Sequence, residues 1–263
     1  MNRIMNVPTM TEMMARGEQP EVLFWVGCSG SFDDRAKKIT KAFVRLLNQA
    51  NVKFAVLGTE EGCTGDPAKR SGNEFLFQMQ AMMNIQVFES YGIKKIVTAC
   101  PHCFNTLKNE YPELGGNYQV VHHTEFLKSL LDEGRLTIEG GSFKGKKITF
   151  HDPCYLGRAN KIYEAPRDLI QKLDAELVEM KRSKKNGLCC GAGGAQMFKE
   201  PEKGNKDINI ERTEDALEVT PQVIATGCPF CNTMLTDGVK FKEKEGQIKV
   251  LDVAELIAHA QDL

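Results

Sequence analysis

Nine cysteines hold most of the chemical potential of this 263-residue chain: Cys28, Cys63, Cys100, Cys103, Cys154, Cys189, Cys190, Cys228 and Cys231. Their spacing is written twice. Cys28 and Cys63 recur 126 residues later as Cys154 and Cys189, and Cys100 and Cys103 recur 128 residues later as Cys228 and Cys231. A single Cys-Pro-x-Cys is easily met by chance. Two of them, each preceded by partners at matched distances, mark an internal duplication. Thiolates are ligands for zinc and for iron–sulfur clusters, and four of them suit tetrahedral zinc or a four-iron cubane. The second copy offers five, because Cys189 and Cys190 stand side by side in GLCCGAGG. The first copy reads EGCTGD, with Thr64 where Cys190 stands, and keeps Cys28, Cys63, Cys100 and Cys103.

The segments around the cysteines repeat as well. KKIVTACPHC matches PQVIATGCPFC, and YQVVHHTEFLKSLL matches IKVLDVAELIAHAQ. Apolar β-branched runs alternate with stretches of helical spacing. In the first copy the pattern predicts strands at 22–27, 53–57, 95–99 and 118–122, with helices at 33–49, 73–91, 102–110 and 124–133. In the second it predicts strands at 147–151, 176–180, 222–226 and 248–251, with helices at 165–173, 206–217, 229–236 and 252–260. Alternation of this kind argues for an α/β fold: two tandem, pseudo-symmetric domains with parallel sheets. The expected division is an N-terminal arm over 1–20, a first domain over 21–141 and a second over 142–263, joined through EGGSFKGK at 139–146.

This arrangement places Cys28 and Cys154 after the first strand of each copy and each Cys-Pro-x-Cys after the third. Loops at the carboxyl ends of parallel strands converge on one spot, so those cysteines can share a metal. The Cys-Pro-x-Cys pairs open helices, whose N–H groups and positive dipole end favour thiolate. Gly191, Gly193 and Gly194 let backbone come close enough for amides to hydrogen-bond the sulfurs, one way in which a reduction potential is tuned. His151 stands three residues before Cys154 and is the candidate catalytic residue, as a donor to a sulfur or a proton source for a departing thiolate. Asp152 is read as a cap for a helix starting at Pro153. His102 is read as a helix-start residue. His122 and His123 are read as strand-end residues aligned with Leu251 and Asp252, not as ligands.

Composition narrows the class. The net charge of −1 creates no field for nucleic acid or an anionic membrane. The one basic run, Lys181 to Lys185, is a solvated turn or a docking site for an acidic partner. No apolar stretch approaches the length of a membrane span. The opening MNRIMNVPTMTEMM lacks the apolar core of an export signal, so the expected location is cytoplasmic, either soluble or attached to a membrane through a partner. Nine cysteines without an export signal argue for metal binding over a disulfide framework. GAGG follows a cysteine pair rather than a strand and lacks the spacing of a dinucleotide fingerprint.

The Cys-x34-Cys-Cys-Gly spacing with its Cys-Pro-x-Cys resembles the cysteine-rich "CCG" domain. Two in tandem resemble the B-type polypeptide of heterodisulfide reductase and the C-terminal half of its D-type polypeptide, and also iron–sulfur proteins of lactate and glycerol-3-phosphate utilisation systems. EVLFWVGCSGSFDDRAKK, HDPCYLGR, CCGAGG and ACPHCFNTLKNEYPE are most similar to iron–sulfur oxidoreductases encoded near electron-transfer flavoproteins. The likeness spans about residues 20–260. It implies a noncubane [4Fe-4S] cluster on Cys154, Cys189, Cys190, Cys228 and Cys231. Thr64 departs from the pattern, which leaves a cubane [4Fe-4S] cluster, a depleted noncubane cluster or zinc for the first copy. The function implied is an iron–sulfur subunit of an oxidoreductase complex, taking electrons from a partner and passing them to a thiol/disulfide, a quinone-linked chain or a flavoprotein. Its implied partners are a ferredoxin-like iron–sulfur protein or an electron-transfer flavoprotein. A pure electron relay and a zinc-stabilised interaction scaffold are the rival readings.

Overall fold

The computed structural model describes residues 5–138, 141–200 and 203–263. The first four residues of the expected arm, and residues 139 and 140 of the expected joint, lie outside the described residues. Contacts divide the chain into two units, Met1–Leu136 and Thr137–Leu263.

The first unit runs α1 (Met10–Ala15), β1 (Val22–Trp25), α2 (Gly27–Phe32), α3 (Ala36–Gln49), β2 (Phe54–Ala55), α4 (Asp66–Arg70), α5 (Glu74–Ser90), β3 (Lys95–Thr98), α6 (Pro101–Asn105), β4 (Gln119–His122) and α7 (His123–Asp132). The second runs β5 (Lys147–Phe150), α8 (Glu164–Gln171), β6 (Glu176–Leu177), α9 (Ile208–Leu217), β7 (Val223–Thr226), α10 (Pro229–Phe241), β8 (Lys249–Asp252) and α11 (Val253–Ala260). Both sheets are four-stranded and parallel, in the orders β2-β1-β3-β4 and β6-β5-β7-β8. The duplication in sequence is therefore a duplication in topology.

Central strands of a parallel sheet are covered on both faces and tolerate continuous apolar runs. Val22 to Trp25 and Val223 to Thr226 are buried at every position. Helix α3 buries Ile39, Phe43, Leu46 and Leu47 along one stripe, and Phe43 meets Phe24 edge-on at 5.0 Å. In the second unit Ile224, Leu235, Val239, Ala216, Met180 and Val250 form the corresponding core.

Differences from the sequence reading are local. Helix 33–49 begins at Ala36, because the segment that carries Cys28 forms its own short helix, α2. The expected helix 102–110 breaks after Asn105 and continues as a π-helical turn over Thr106–Glu110. Strand register makes Asp252 the counterpart of His122: Thr98 pairs with His122 as Thr226 pairs with Asp252. The alignment by sequence is thus corrected by one residue. Residues 9–15 pack onto the first unit, with Thr9 bridging Val56 and Met10 and Met13 buried.

Candidate metal centres

In each unit the cysteines gather beyond the carboxyl ends of the first and third strands. Cys28 sits in α2, just past β1; Cys154 sits just past β5, ahead of a π-helical turn over Tyr155–Ala159. Cys100 and Cys228 hold the N-cap positions of α6 and α10, so Cys103 and Cys231 follow within the first turn. Cys63 and Cys189 come from the loop after the second strand. Each is followed by a left-handed glycine, Gly65 (φ +87°) and Gly191 (φ +92°). That conformation turns the glycine amide back onto the sulfur two residues earlier. Gly65 N–H donates to Cys63 Sγ at 3.4 Å and Gly191 N–H to Cys189 Sγ at 3.3 Å. Of the three glycines expected near the second set of cysteines, Gly191 is the one whose amide meets a sulfur. Gly194 takes φ +67° in a turn facing open space, and Gly193 accepts from Gln196 through its carbonyl.

In the second unit all five sulfurs join one chain of contacts. The Cys189 sulfur makes hydrogen-bond contacts with those of Cys154 and Cys190, Cys190 Sγ–H donates to Cys231 Sγ at 3.2 Å, and Cys231 also meets Cys228. The Cys154 and Cys190 contacts hold Cys189 well below the ordinary thiol range, while Cys154 is pushed up by its contact with Cys189 and by burial. The first unit gathers four. Cys28 donates to Cys63, whose thiol is thereby lowered to about 7, and the Cys100 contact and burial push Cys103 up. Thr64, buried, directs its hydroxyl at Cys103 Sγ from 3.8 Å.

Carboxylates tie the loops together, from opposite sides in the two units. Glu61, on the Cys63 loop, accepts the amides of Val26 at 3.0 Å and Gly27 at 2.6 Å, ahead of Cys28. Burial pushes its carboxyl up to about 7 against the pull of those amides. Asp152, on the Cys154 loop, accepts the Lys184 amide at 2.6 Å and both terminal nitrogens of Arg167 at 2.8 and 2.9 Å. The expectation that Asp152 caps a helix is therefore corrected: its oxygens are taken by a buried arginine and a loop amide.

The walls differ. Around the first set, His102 Nδ1 lies 3.0 Å from Asp66 Oδ2, and Arg70 joins Asp66 to Glu110. At the equivalent places the second unit has Phe230 and Ala192, packed with Met197 and Met234 against the cysteines. The basic run lies at the surface, and two of its side chains make ion pairs within the unit. Arg182 binds Asp215 and Glu211, and Lys184 binds Glu164.

His151 is 1% exposed, and one of its ring nitrogens lies within 4.8 Å of the Cys190 and Cys231 sulfurs. Arg212, fully buried, donates Nε–H to His151 Nδ1 at 2.9 Å. Burial first, and then the Arg212 charge, pushes this imidazole well below its usual range. Sequence reasoning missed Arg212, Arg167, Glu61 and Trp25. Trp25, the single tryptophan of the chain, lies 126 residues before His151, so the repeat itself pointed to it.

A fold written twice, with cysteines converging at the same strand ends each time, defines a tandem cysteine-rich protein. The family model described as a cysteine-rich domain, CCG, matches residues 22–108 and 148–236, and the chain belongs to that family. It is 51% identical over 255 residues to the "probable iron-sulfur-binding oxidoreductase FadF" of Bacillus subtilis, covering 97% of this chain and 36% of that protein. It is 47% identical to an "EtfAB:quinone oxidoreductase" of Syntrophomonas wolfei, covering 94% and 35%. It is 33% identical to the D-type polypeptide of a "dihydromethanophenazine:CoB--CoM heterodisulfide reductase" of Methanosarcina barkeri, covering 94% and 60%. The chain thus spans little more than a third of the first two relatives. No helix among the described residues is long and apolar enough to cross a membrane.

Proposed function

We propose that this chain is the tandem cysteine-rich module of an iron–sulfur oxidoreductase and carries electrons between a flavin-bearing partner and a downstream acceptor. The observation that carries the reading is the convergence of five sulfurs, Cys154, Cys189, Cys190, Cys228 and Cys231, in one contact chain. Tetrahedral zinc takes four ligands, so the donor set fits a noncubane [4Fe-4S] cluster better than a structural ion. Cys28, Cys63, Cys100 and Cys103 would hold a second, four-thiolate site: a cubane [4Fe-4S] cluster or zinc. An iron–sulfur cluster held at either place supplies one-electron redox chemistry. The protein's part is to hold the sulfurs through Glu61 and Asp152, to aim the Gly65 and Gly191 amides at them, and to exclude water with the Phe230, Met197 and Met234 wall.

The relatives named as iron–sulfur-binding, EtfAB:quinone and heterodisulfide oxidoreductases support a redox role, and the proposed location is the cytoplasm. The EtfAB:quinone relative supports an electron-transfer flavoprotein as partner; a ferredoxin-like iron–sulfur protein is the other partner proposed. A second reading, reduction of a disulfide by two electrons and two protons, is favoured by Cys154 and Cys189, which stay only partly buried. Iron, zinc and sulfide content with EPR on anaerobically purified protein tests the main reading. About eight irons with matching sulfide is expected, about four irons plus one zinc would make the first site structural, and zinc alone would overturn the proposal. Disulfide turnover with reduced viologen as donor would favour catalysis over relay.

A further inference from the structure

We propose that Trp25 and His151 are equivalent hydrogen-bond donors, one in each unit, which present a buried N–H to the cysteine sulfurs and raise the potential of the cluster held there. Arg212 is the positioning residue that locks His151 into its donor form. The inference rests on the iron–sulfur reading above and assigns residues to it that are not ligands.

The two residues occupy the same place in the fold. Trp25 ends β1 in register with Thr98, and His151 follows β5 with its amide bonded to Ala225 O at 2.9 Å. Both side chains are buried, and each has one polar nitrogen without a hydrogen-bond partner among the described residues: Trp25 Nε1 and His151 Nε2. A buried N–H left without an acceptor is destabilising, so two of them at equivalent positions call for an acceptor. Cysteine sulfurs lie near both. A Cβ placed on Gly27 would lie 3.4 Å from Cys103 Sγ and 3.9 Å from Trp25 Nε1, which puts the indole nitrogen and that sulfur against the same glycine. In the second unit a His151 ring nitrogen lies within 4.8 Å of two sulfurs.

The indole nitrogen can only donate. An imidazole can do either, and Arg212 decides. Its Nε–H points at His151 Nδ1, and an arginine never accepts, so Nδ1 must carry the lone pair and Nε2 the proton. Arg212 is itself held by the Arg182 carbonyl at 2.7 Å and by Asp215 at 3.1 Å. In the first unit Phe88, on helix α5, packs edge-on against Trp25 at 5.5 Å and holds the ring without hydrogen bonds. A neutral His151 with Nε2 protonated is a donor to sulfur and not a metal ligand. Donors to cluster sulfurs favour the reduced, more negative state and so raise the potential.

The test uses the full chain, loaded anaerobically with iron and sulfide and followed by EPR-monitored redox titration. His151→Asn leaves an acceptor for Arg212 but no longer reaches the sulfurs. It is expected to lower the second-unit midpoint by about a tenfold change in the reduction equilibrium, or about 59 mV for one electron, and to leave the first-unit midpoint in place. Trp25→Phe is expected to do the reverse. His151→Gln, whose amide keeps an N–H near the Nε2 position, should restore the wild-type value. Unchanged midpoints in His151→Asn and Trp25→Phe would overturn the proposal. A long-range 1H–15N correlation on the unsubstituted chain is the independent readout, with or without cluster. His151 must show the Nε2–H tautomer, and an Nδ1–H tautomer would overturn the proposal even if a variant fails to fold. Failure of the unsubstituted chain to take up iron and sulfide would sink the iron–sulfur reading instead, and the tautomer would still decide the Arg212 assignment.

Discussion

The hydroxyl of Thr64 lies 3.8 Å from the Cys103 sulfur, and the second unit has the sulfur of Cys190 in that place, 3.2 Å from Cys231. One residue thus separates a four-thiolate site from a five-thiolate one within the same frame. Thr64→Cys replaces a buried side chain by one of similar size, so its folding cost should stay below about 1.5 kcal/mol. The expected outcome is that the first-unit EPR signal of the reconstituted protein takes on the character of the second. Cys190→Thr should convert the second toward the first. If both variants keep the parental spectra, the fifth sulfur does not set cluster type.

Sulfur exposure and charge predict an order of alkylation in protein stripped of metal under reducing conditions. Cys189 and Cys63 are partly exposed and are the sulfurs whose thiols are pulled down, so they carry the thiolate that reacts. Cys28 and Cys154 are also partly exposed but are held as thiols by donating to them. Iodoacetamide at neutral pH with peptide mass spectrometry should therefore label Cys189 and Cys63 first, Cys28 and Cys154 next, and the buried Cys100, Cys103, Cys190, Cys228 and Cys231 only on unfolding. Early labelling of Cys228 or Cys231 would contradict the packing.

The Asp152–Arg167 pair anchors the Cys154 loop inside the protein. Arg167→Met leaves the Asp152 carboxylate buried without its cation, a loss of about 3–5 kcal/mol for a broken buried pair. Adding Asp152→Asn should recover part of that loss. Urea midpoints of the single and double variants check this. A single-variant loss below about 1 kcal/mol, well under that range, would mean that solvent reaches the carboxylate.

Gly65 and Gly191 each aim an amide at a sulfur from a left-handed conformation. An alanine there carries a backbone cost of about 1–3 kcal/mol. At Gly65 its Cβ would also come within 2.8 Å of Phe77 Cδ2, and at Gly191 within 3.3 Å of Ile208 Cβ. Both variants should retain iron less well under chelator challenge, with Gly65→Ala losing more stability than Gly191→Ala. Retention equal to wild type would show that the turns relax without disturbing the sulfurs.

Much of this protein is legible in its sequence because the information is local or periodic. β-Branched residues such as Ile96-Val97-Thr98 and Val223-Ile224 announce buried strands, and the recurrence of cysteines at 126 and 128 residues announces two copies of one fold. Parallel connectivity then places the nine cysteines at strand ends, since chain direction and strand order leave those loops no other edge.

Tertiary structure decided what depends on partners distant in sequence. Nothing near Asp152 announces that Arg167 and the Lys184 amide, 15 and 32 residues on, take its oxygens in place of a helix cap. Nothing near His151 announces Arg212, 61 residues away, whose single N–H selects the tautomer. Spacing can report which residue types recur. Which atom of a side chain faces which other is settled only when helices from different parts of the chain pack over the same strand end. There burial forces each polar group to find a partner, because leaving one unpaired is too costly.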